Sequence, residues 1–134
     1  MKTLLNLTAV ILFIASSANA WADGHAAEAK RAIVTSSIED REPTDNLNDG
    51  MVSIQKNKVY FFTEIINQAN TAITHRWFLN GKLEAEVVLR IGSDRWRTYS
   101  SKNLVPNYHK GNWQVEVVSQ DGKLLASQTF TFGE

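Results

Sequence analysis

A row of arginine and tyrosine side chains is the feature of this sequence best suited to binding chemistry. A strand over Arg95–Ser101 alternates its side chains, which places two arginines and one tyrosine on the same face. Guanidinium groups beside an aromatic ring suit carboxylates, phosphates or acidic sugars. An arginine on the outer face of another strand and a following lysine are expected to join them. The candidate ligand-binding residues are Arg76, Arg95, Arg97, Tyr99 and Lys102.

The same row has a second interpretation, in which these cations are solvated and paired within the protein. Glu64, Glu84 and Glu86 are the expected internal partners. An alternating pattern of Arg-x-Arg-x-Tyr is short, and the two interpretations therefore stay open at this point.

His75 is the histidine most open to a chemical role. One interpretation makes it a partly buried residue whose ring is satisfied by a backbone carbonyl. The other makes it a general base beside a carboxylate, which the sequence does not identify. His25 and His109 lie far from it and lack metal-ligand spacing.

Other catalytic, cofactor and metal-binding patterns are absent from the sequence. The chain contains no cysteine, so thiol chemistry is excluded. The stretch 45–56 begins like a calcium loop, but Leu47 takes a ligand position and Lys56 stands where a bidentate glutamate is needed. We therefore expect no catalytic residue, no metal and no cofactor.

The first residues predict export. Lys2 precedes the apolar run Leu4–Ile14, and Ala18-Asn19-Ala20 has the small residues that signal peptidase requires. We expect residues 1–20 to be a cleaved signal peptide, which makes the protein periplasmic or, alternatively, secreted. The apolar run is too short to span a bilayer, so no membrane span is expected after cleavage. With a formal net charge of zero, the chain also shows no bias toward nucleic acid.

The expected mature chain has a flexible or helical lead-in over residues 21–30 and a single domain over residues 31–134. That domain contains seven runs rich in β-branched and aromatic residues, separated by turn residues. They are Ala32–Ile38, Val59–Ile66, Ile73–Leu79, Lys82–Ile91, Arg95–Ser101, Asn112–Ser119 and Lys123–Phe132. This pattern predicts an all-β fold, an immunoglobulin-like antiparallel β-sandwich of about seven strands, with a small β-barrel as the alternative.

The register of each hairpin is predicted from the rule that apolar side chains of two paired strands lie on the same face of the sheet. Asp121-Gly122 is predicted to be a two-residue type I′ turn, which sets Trp113 opposite Phe130. For Asn80-Gly81 the same rule favours a three-residue loop that includes Leu79, with Gly81 as a bulge. That loop sets a tryptophan opposite Leu83 and an arginine opposite Glu84. The residues given structural roles are His75, Trp77, Gly81, Trp96, Trp113 and Gly122.

Several short motifs together resemble a known bacterial family, the domain of unknown function numbered 2914. The most specific is the run Trp-Arg-Thr-Tyr-Ser-Ser-Lys. The motifs are Arg41-Glu42-Pro43, His75-Arg76-Trp77, Asn80-Gly81, Trp96–Lys102, Gly111-x-Trp113-x-Val115 and Asp121-Gly122. The resemblance extends from about Lys30 to Phe132 and implies an extracytoplasmic role. The family has no established activity, so no catalytic residues are transferred.

These observations favour a non-catalytic module of the cell envelope that binds a glycan, a peptide or a protein on its arginine and tyrosine face. The alternative is a small hydrolase that acts on envelope polysaccharide through a carboxylate pair. A homodimer formed through an exposed sheet edge is a third hypothesis.

Overall fold

Runs rich in valine, isoleucine and aromatic residues form ten strands in the computed structural model, which describes residues 26–133. The predicted signal peptide and residues 21–25 of the lead-in lie outside this range. The strands and one helical turn are β1 (Glu28–Thr35), β2 (Ile38–Glu39), β3 (Glu42–Pro43), β4 (Gly50–Ser53), β5 (Lys58–Ile66), β6 (Ala72–Leu79), β7 (Lys82–Arg90), β8 (Arg95–Asn103), α1 (Pro106–His109), β9 (Gly111–Val118) and β10 (Leu124–Gly133).

Two open sheets pack face to face, and a small hairpin of β2 and β3 forms a separate pair. The first sheet has the order β1-β5-β8 and the second has the order β4-β10-β9-β6-β7. In immunoglobulin terms the first holds strands A, B and E, and the second holds A′, G, F, C and C′. The predicted sandwich is confirmed, and the sheets do not close into the alternative barrel. Within the described chain no strand D covers β8.

The start of β1 and the presence of β4 differ from the sequence prediction. β1 begins at Glu28, inside the predicted flexible or helical lead-in, because it pairs with β5 from Ile66 onward. β4 was not predicted, since four residues are too few for a clear alternation. It runs parallel to β10, with Gly50 opposite Phe130, so the sandwich is not wholly antiparallel.

Aromatic contacts join the two sheets in this cysteine-free core. Trp77 on β6 is fully buried and occupies the position of the buried tryptophan on strand C of immunoglobulin domains. Its ring lies 6.4 Å from that of Phe61 in the opposite sheet and 6.4 Å from that of Trp113 on β9. Trp113 in turn stacks on Phe130 at 5.7 Å. Trp96 packs at the margin of the core and stays partly exposed.

The Asn80-Gly81 hairpin has a different register from the predicted one. Both residues have positive φ, 50° and 85°, and form a two-residue turn between Leu79 and Lys82. A bulge at Glu84 then shifts the register, so that Trp77 faces Ala85. The requirement that apolar residues share one face is met, but by a bulge within the strand. The predicted three-residue loop is therefore wrong.

The hairpin at Asp121-Gly122 has the predicted register but not the predicted turn. Trp113 lies opposite Phe130, as predicted. The turn, however, has three residues, because the Ser119 N–H donates to the Lys123 carbonyl at 2.8 Å and Gly122 alone has positive φ there. A register shift between Leu124 and Ala126 restores the predicted pairing. The register was right and the two-residue turn was wrong.

Candidate functional site

A chain of ion pairs crosses the outer face of the first sheet. Glu64 accepts from Arg31 Nε at 2.7 Å and from Arg95 Nη1 at 2.7 Å. Glu42, on the small hairpin, accepts two bonds from Arg31 at 2.7 and 2.9 Å and a third from Arg97. Three arginines therefore alternate with two glutamates, and the hairpin is tied to the sheet.

The two carboxylates in this network of ion pairs are stabilised in their charged form. Hydrogen bonds from Arg31 and then Arg97 lower the pKa of Glu42 to about 2. Hydrogen bonds from Arg31 and then Arg95 lower the pKa of Glu64 as well. Opposite charges and hydrogen bonds to the ionised form both favour deprotonation. Neither group is suited to hold a proton for general acid catalysis near neutral pH.

The five predicted binding residues do not form one surface. Arg95, Arg97 and Tyr99 share the outer face of β8, as alternation requires. Arg76 belongs to β6 in the other sheet, where it pairs with Glu86 at 3.0 Å. It cannot join the row, and its partner is not Glu84, because the bulge shifts that register.

Lys102 is also separated from the row. It is an odd number of residues from Tyr99, so its side chain has the opposite parity on β8. It lies opposite Val59 and near His109, whose pKa is lowered by burial and by the Lys102 charge. The predicted internal partners are therefore correct for Arg76, which pairs with Glu86, and for Arg95, which pairs with Glu64. Arg97 pairs with Glu42, which the sequence did not indicate, and no salt bridge in the described chain involves Glu84.

A groove nevertheless lies beside the row, between β8 at the edge of the first sheet and β7 at the edge of the second. We call it the β7–β8 groove. Its volume is about 530 Å³, and a smaller cavity of about 160 Å³ shares Arg41, Trp96 and Arg97 with it. The walls of the groove include Arg41, Leu89, Arg90, Trp96, Arg97 and Tyr99.

Positive charge dominates this groove. Arg41 and Arg90 have no carboxylate oxygen within 4.0 Å among residues 26–133. The Arg97 side chain is 37% exposed although it contacts Glu42, and Tyr99 is 46% exposed. Neither cavity has a carboxylate among its lining residues. The groove thus offers two unpaired guanidinium groups beside an aromatic ring.

Arg41 reaches the groove from a strained turn. Asp40 and Arg41, with φ of 52° and 65°, are the two central residues of the β2–β3 hairpin. The left-handed conformation costs roughly 1 kcal/mol or more for a residue other than glycine. The ion pairs of Glu42, the next residue, hold the hairpin against the sheet. The fold therefore maintains an arginine where a glycine would be less strained.

Trp96 is positioned by a glycine. A Cβ atom built on Gly92 would lie 2.7 Å from the indole ring of Trp96. Only a residue without a side chain lets the ring lie this close to the backbone of the loop after β7. Gly92 therefore shapes the groove without lining it.

His75 belongs to a buried hydrogen-bond network. Its Nε2 lies 3.1 Å from Thr63 Oγ1 and its Nδ1 lies 2.7 Å from Ser100 Oγ. Trp77 Nε1 donates to the same Ser100 oxygen at 3.1 Å, so the serine hydroxyl can donate to Nδ1. The ring then carries its proton on Nε2 and donates to Thr63, whose hydroxyl faces the carbonyl of Thr98 at 3.4 Å.

This network gives His75 a structural role. The residue has no exposed surface, and burial lowers its pKa to about 3. Its hydrogen-bond partners in the described chain are hydroxyl groups, neither the predicted backbone carbonyl nor a carboxylate. A general base needs access to substrate, and this ring has none.

No metal site is evident in the described chain. Asp45, in the stretch that begins like a calcium loop, accepts hydrogen bonds from Thr35 Oγ1 at 2.7 Å and from the Ser36 N–H at 2.8 Å. It therefore holds the chain after β1. Within residues 26–133 no three His, Asp or Glu side chains group in a way that could hold a metal ion.

Fold and groove together define an immunoglobulin-like β-sandwich with a cationic groove along one open edge. Residues 70–132 match the model of the family described as Protein of unknown function (DUF2914), which confirms the family resemblance over that part of the chain. The match includes β7 and β8 but not Arg41. No curated protein matches the chain. Among residues 26–133, no helix has the length and apolar character needed to cross a membrane.

Proposed function

We propose that this protein is an exported, non-catalytic module that binds an anionic ligand in the β7–β8 groove. The observation that carries the proposal is the position of Arg41 and Arg90, which both line the groove and have no carboxylate oxygen within 4.0 Å in the described chain. Arg97 and the exposed ring of Tyr99 lie beside them.

The positive charge of the groove and the backbone strain at Arg41 both favour a ligand-binding surface over a surface that only contacts solvent. Arginine forks bind carboxylate and phosphate groups through paired hydrogen bonds, and a nearby ring adds stacking contacts. A purely structural turn would favour glycine or asparagine at the position of Arg41. Strained residues often mark functional sites, and here the strain delivers a cation to the groove.

The N-terminal sequence supports an extracytoplasmic location. The positive residue, the apolar run and the Ala-x-Ala site in residues 1–20 are the parts of a secretory signal. A periplasmic or secreted module with this groove would meet acidic glycans, acidic peptides and acidic proteins of the envelope.

A polysaccharide hydrolase is less well supported. Glycoside hydrolysis needs one carboxyl group that holds a proton and a second that is ionised, facing each other across a cleft. Glu42 and Glu64 pair with arginines of β8 beside the groove, and their arginine partners lower both pKa values. Such groups remain ionised and engaged, which suits a scaffold and does not suit an acid–base pair.

Binding of a polyanion by arginine variants tests the proposal. We expect the purified protein to bind polygalacturonate in low salt, and Arg90→Ala to weaken that binding at least about fivefold, which corresponds to the loss of one charge-assisted contact. Lys82→Ala is the matched control, because Lys82 is an exposed cation at the opposite end of β7. Equal weakening by the two variants, or no binding by the wild type to polygalacturonate or to any acidic peptide, would refute the proposal.

A further inference from the structure

The β7–β8 groove follows the open edge of a strand. Four consecutive residues of β8, from Trp96 to Tyr99, line it. Successive side chains of a strand point to opposite faces of its sheet, so a groove lined by all four must run along the strand's edge. In the described chain β8 has a neighbour on one side only, which is β5.

An edge of this kind has free backbone groups. On an edge strand, alternate residues turn their N–H and C=O groups away from the paired neighbour. The facing wall of the groove includes Leu89 and Arg90 of β7, which belongs to the other sheet and is not paired with β8. The groove therefore presents a row of hydrogen-bonding groups at the spacing of a strand, together with guanidinium groups.

The charges around this edge favour a particular occupant. Antiparallel pairing of two copies through β8 would bring the arginines of each copy, Arg95 and Arg97, against those of the other. Like charges placed opposite each other are destabilising, so this edge opposes the hypothesis of a homodimer. An extended segment with acidic side chains would instead place opposite charges next to each other on both of its faces. Its carboxylates would meet Arg41 and Arg97 on the outer side and Arg90 toward β7.

We propose that the anionic ligand is an extended acidic peptide segment of a partner protein, which pairs with β8 as an added strand. The inference deepens the proposed function and rests on it. Main-chain hydrogen bonds to β8 would supply affinity, and carboxylates that reach the groove's arginines would supply specificity, as in other cases of strand addition. An acidic glycan would satisfy the arginines but has no regular row of amide groups to pair with the edge.

Backbone methylation of a synthetic peptide tests this pairing. The probe is an acetylated peptide of about ten residues, with glutamates on both faces of the extended chain and threonine and valine between them. Two further versions carry N-methyl groups on alternate residues, one version for each edge of the peptide. Because only one edge can face β8, we expect one methylated version to lose about tenfold in affinity, as for one or two lost hydrogen bonds. The other version should bind like the parent.

The outcomes separate this inference from the proposed function. Equal binding by both methylated versions, or equal loss in both, overturns strand addition. Binding of polygalacturonate that depends on Arg90, without binding of the peptide, also overturns strand addition but leaves the anion site in place. If neither probe binds, both proposals fail. Lys82→Ala again serves as the control for unspecific charge effects on peptide binding.

Discussion

The buried ring of His75 should make the stability of this protein depend on pH well above the range in which carboxylates titrate. In the folded protein the pKa of His75 is about 3, against an ordinary value of 6.5 in an unfolded chain. Between these values the unfolded chain binds a proton and the folded protein does not. The free energy of unfolding therefore falls as the pH drops below 6.5, because protons then favour the unfolded state.

The magnitude follows from this difference. Between pH 7.5 and pH 5 the unfolded histidine becomes almost fully protonated, while the folded one stays neutral. At 1.36 kcal/mol for each pH unit below 6.5, the loss is about 2 kcal/mol at pH 5. This figure holds as long as the folded pKa lies well below 5. Glu42 and Glu64 contribute little here, since their lowered pKa values add stability that is lost only as the pH falls below their ordinary value of 4.5.

Urea denaturation at the two pH values measures the effect. His75→Gln is the comparison, because glutamine offers both a donor and an acceptor without titrating. It should be less stable than the wild type at pH 7.5 but lose much less stability on acidification. His109, whose pKa is also lowered, is present in both proteins, so its contribution cancels. A wild-type free energy that is the same at both pH values, or an equal loss in His75→Gln, would refute the assignment of a buried, neutral histidine.

Three further substitutions, one of them with a control variant, test the turn, the groove wall and the ion pairs. Arg41→Gly should raise the free energy of unfolding by up to about 1 kcal/mol by relieving the positive φ, yet weaken polyanion binding severalfold; a melting curve that shifts downward would contradict the argued strain. Gly92→Ala should cost about 1–3 kcal/mol in urea denaturation, because the new Cβ forces the Trp96 ring to move, and the emission spectrum of the protein should change. Gly81→Ala, where the Cβ meets no atom within 4 Å, should cost only the roughly 1 kcal/mol of its positive φ and leave that spectrum unaltered. Glu64→Gln should destabilise the protein at pH 7, and its difference from the wild type should shrink as the pH falls below 4.5, because the lowered pKa of the wild-type carboxylate adds stability only while that group is ionised; a difference that keeps the same size as the pH falls would show that charge is not the cause.

Much of the fold could be predicted because its local signals agree with each other. The seven long strands coincide with runs of β-branched and aromatic residues, and side-chain parity correctly placed Trp77 and Trp113 inside. Hairpin details could not be predicted, since a bulge within a strand repairs parity as well as a longer turn does. The sequence of residues 82–90 does not show which solution is used, and the bulge lies at Glu84.

The site could be predicted only in part, because its residues meet through tertiary structure. Alternation along β8 correctly grouped Arg97 with Tyr99. It could not show that Arg76 lies in the other sheet, as strand order is a property of the whole fold. Arg41 was missed as a groove residue because it lies more than fifty residues before Arg97 in the sequence. Arg41 was, with Glu42 and Pro43, part of a motif that resembles the family, but the position of this motif over β8 follows only from the ion pairs of Glu42.

The strand order of the second sheet has a consequence for how the chain acquires its structure. β10 is the last strand in chain order, yet it lies between β4 and β9, inside the sheet. A growing polypeptide cannot place β4 in this sheet until β10 has emerged. β4 therefore lacks its partner until β10 has been synthesised, and the second sheet cannot be completed before then.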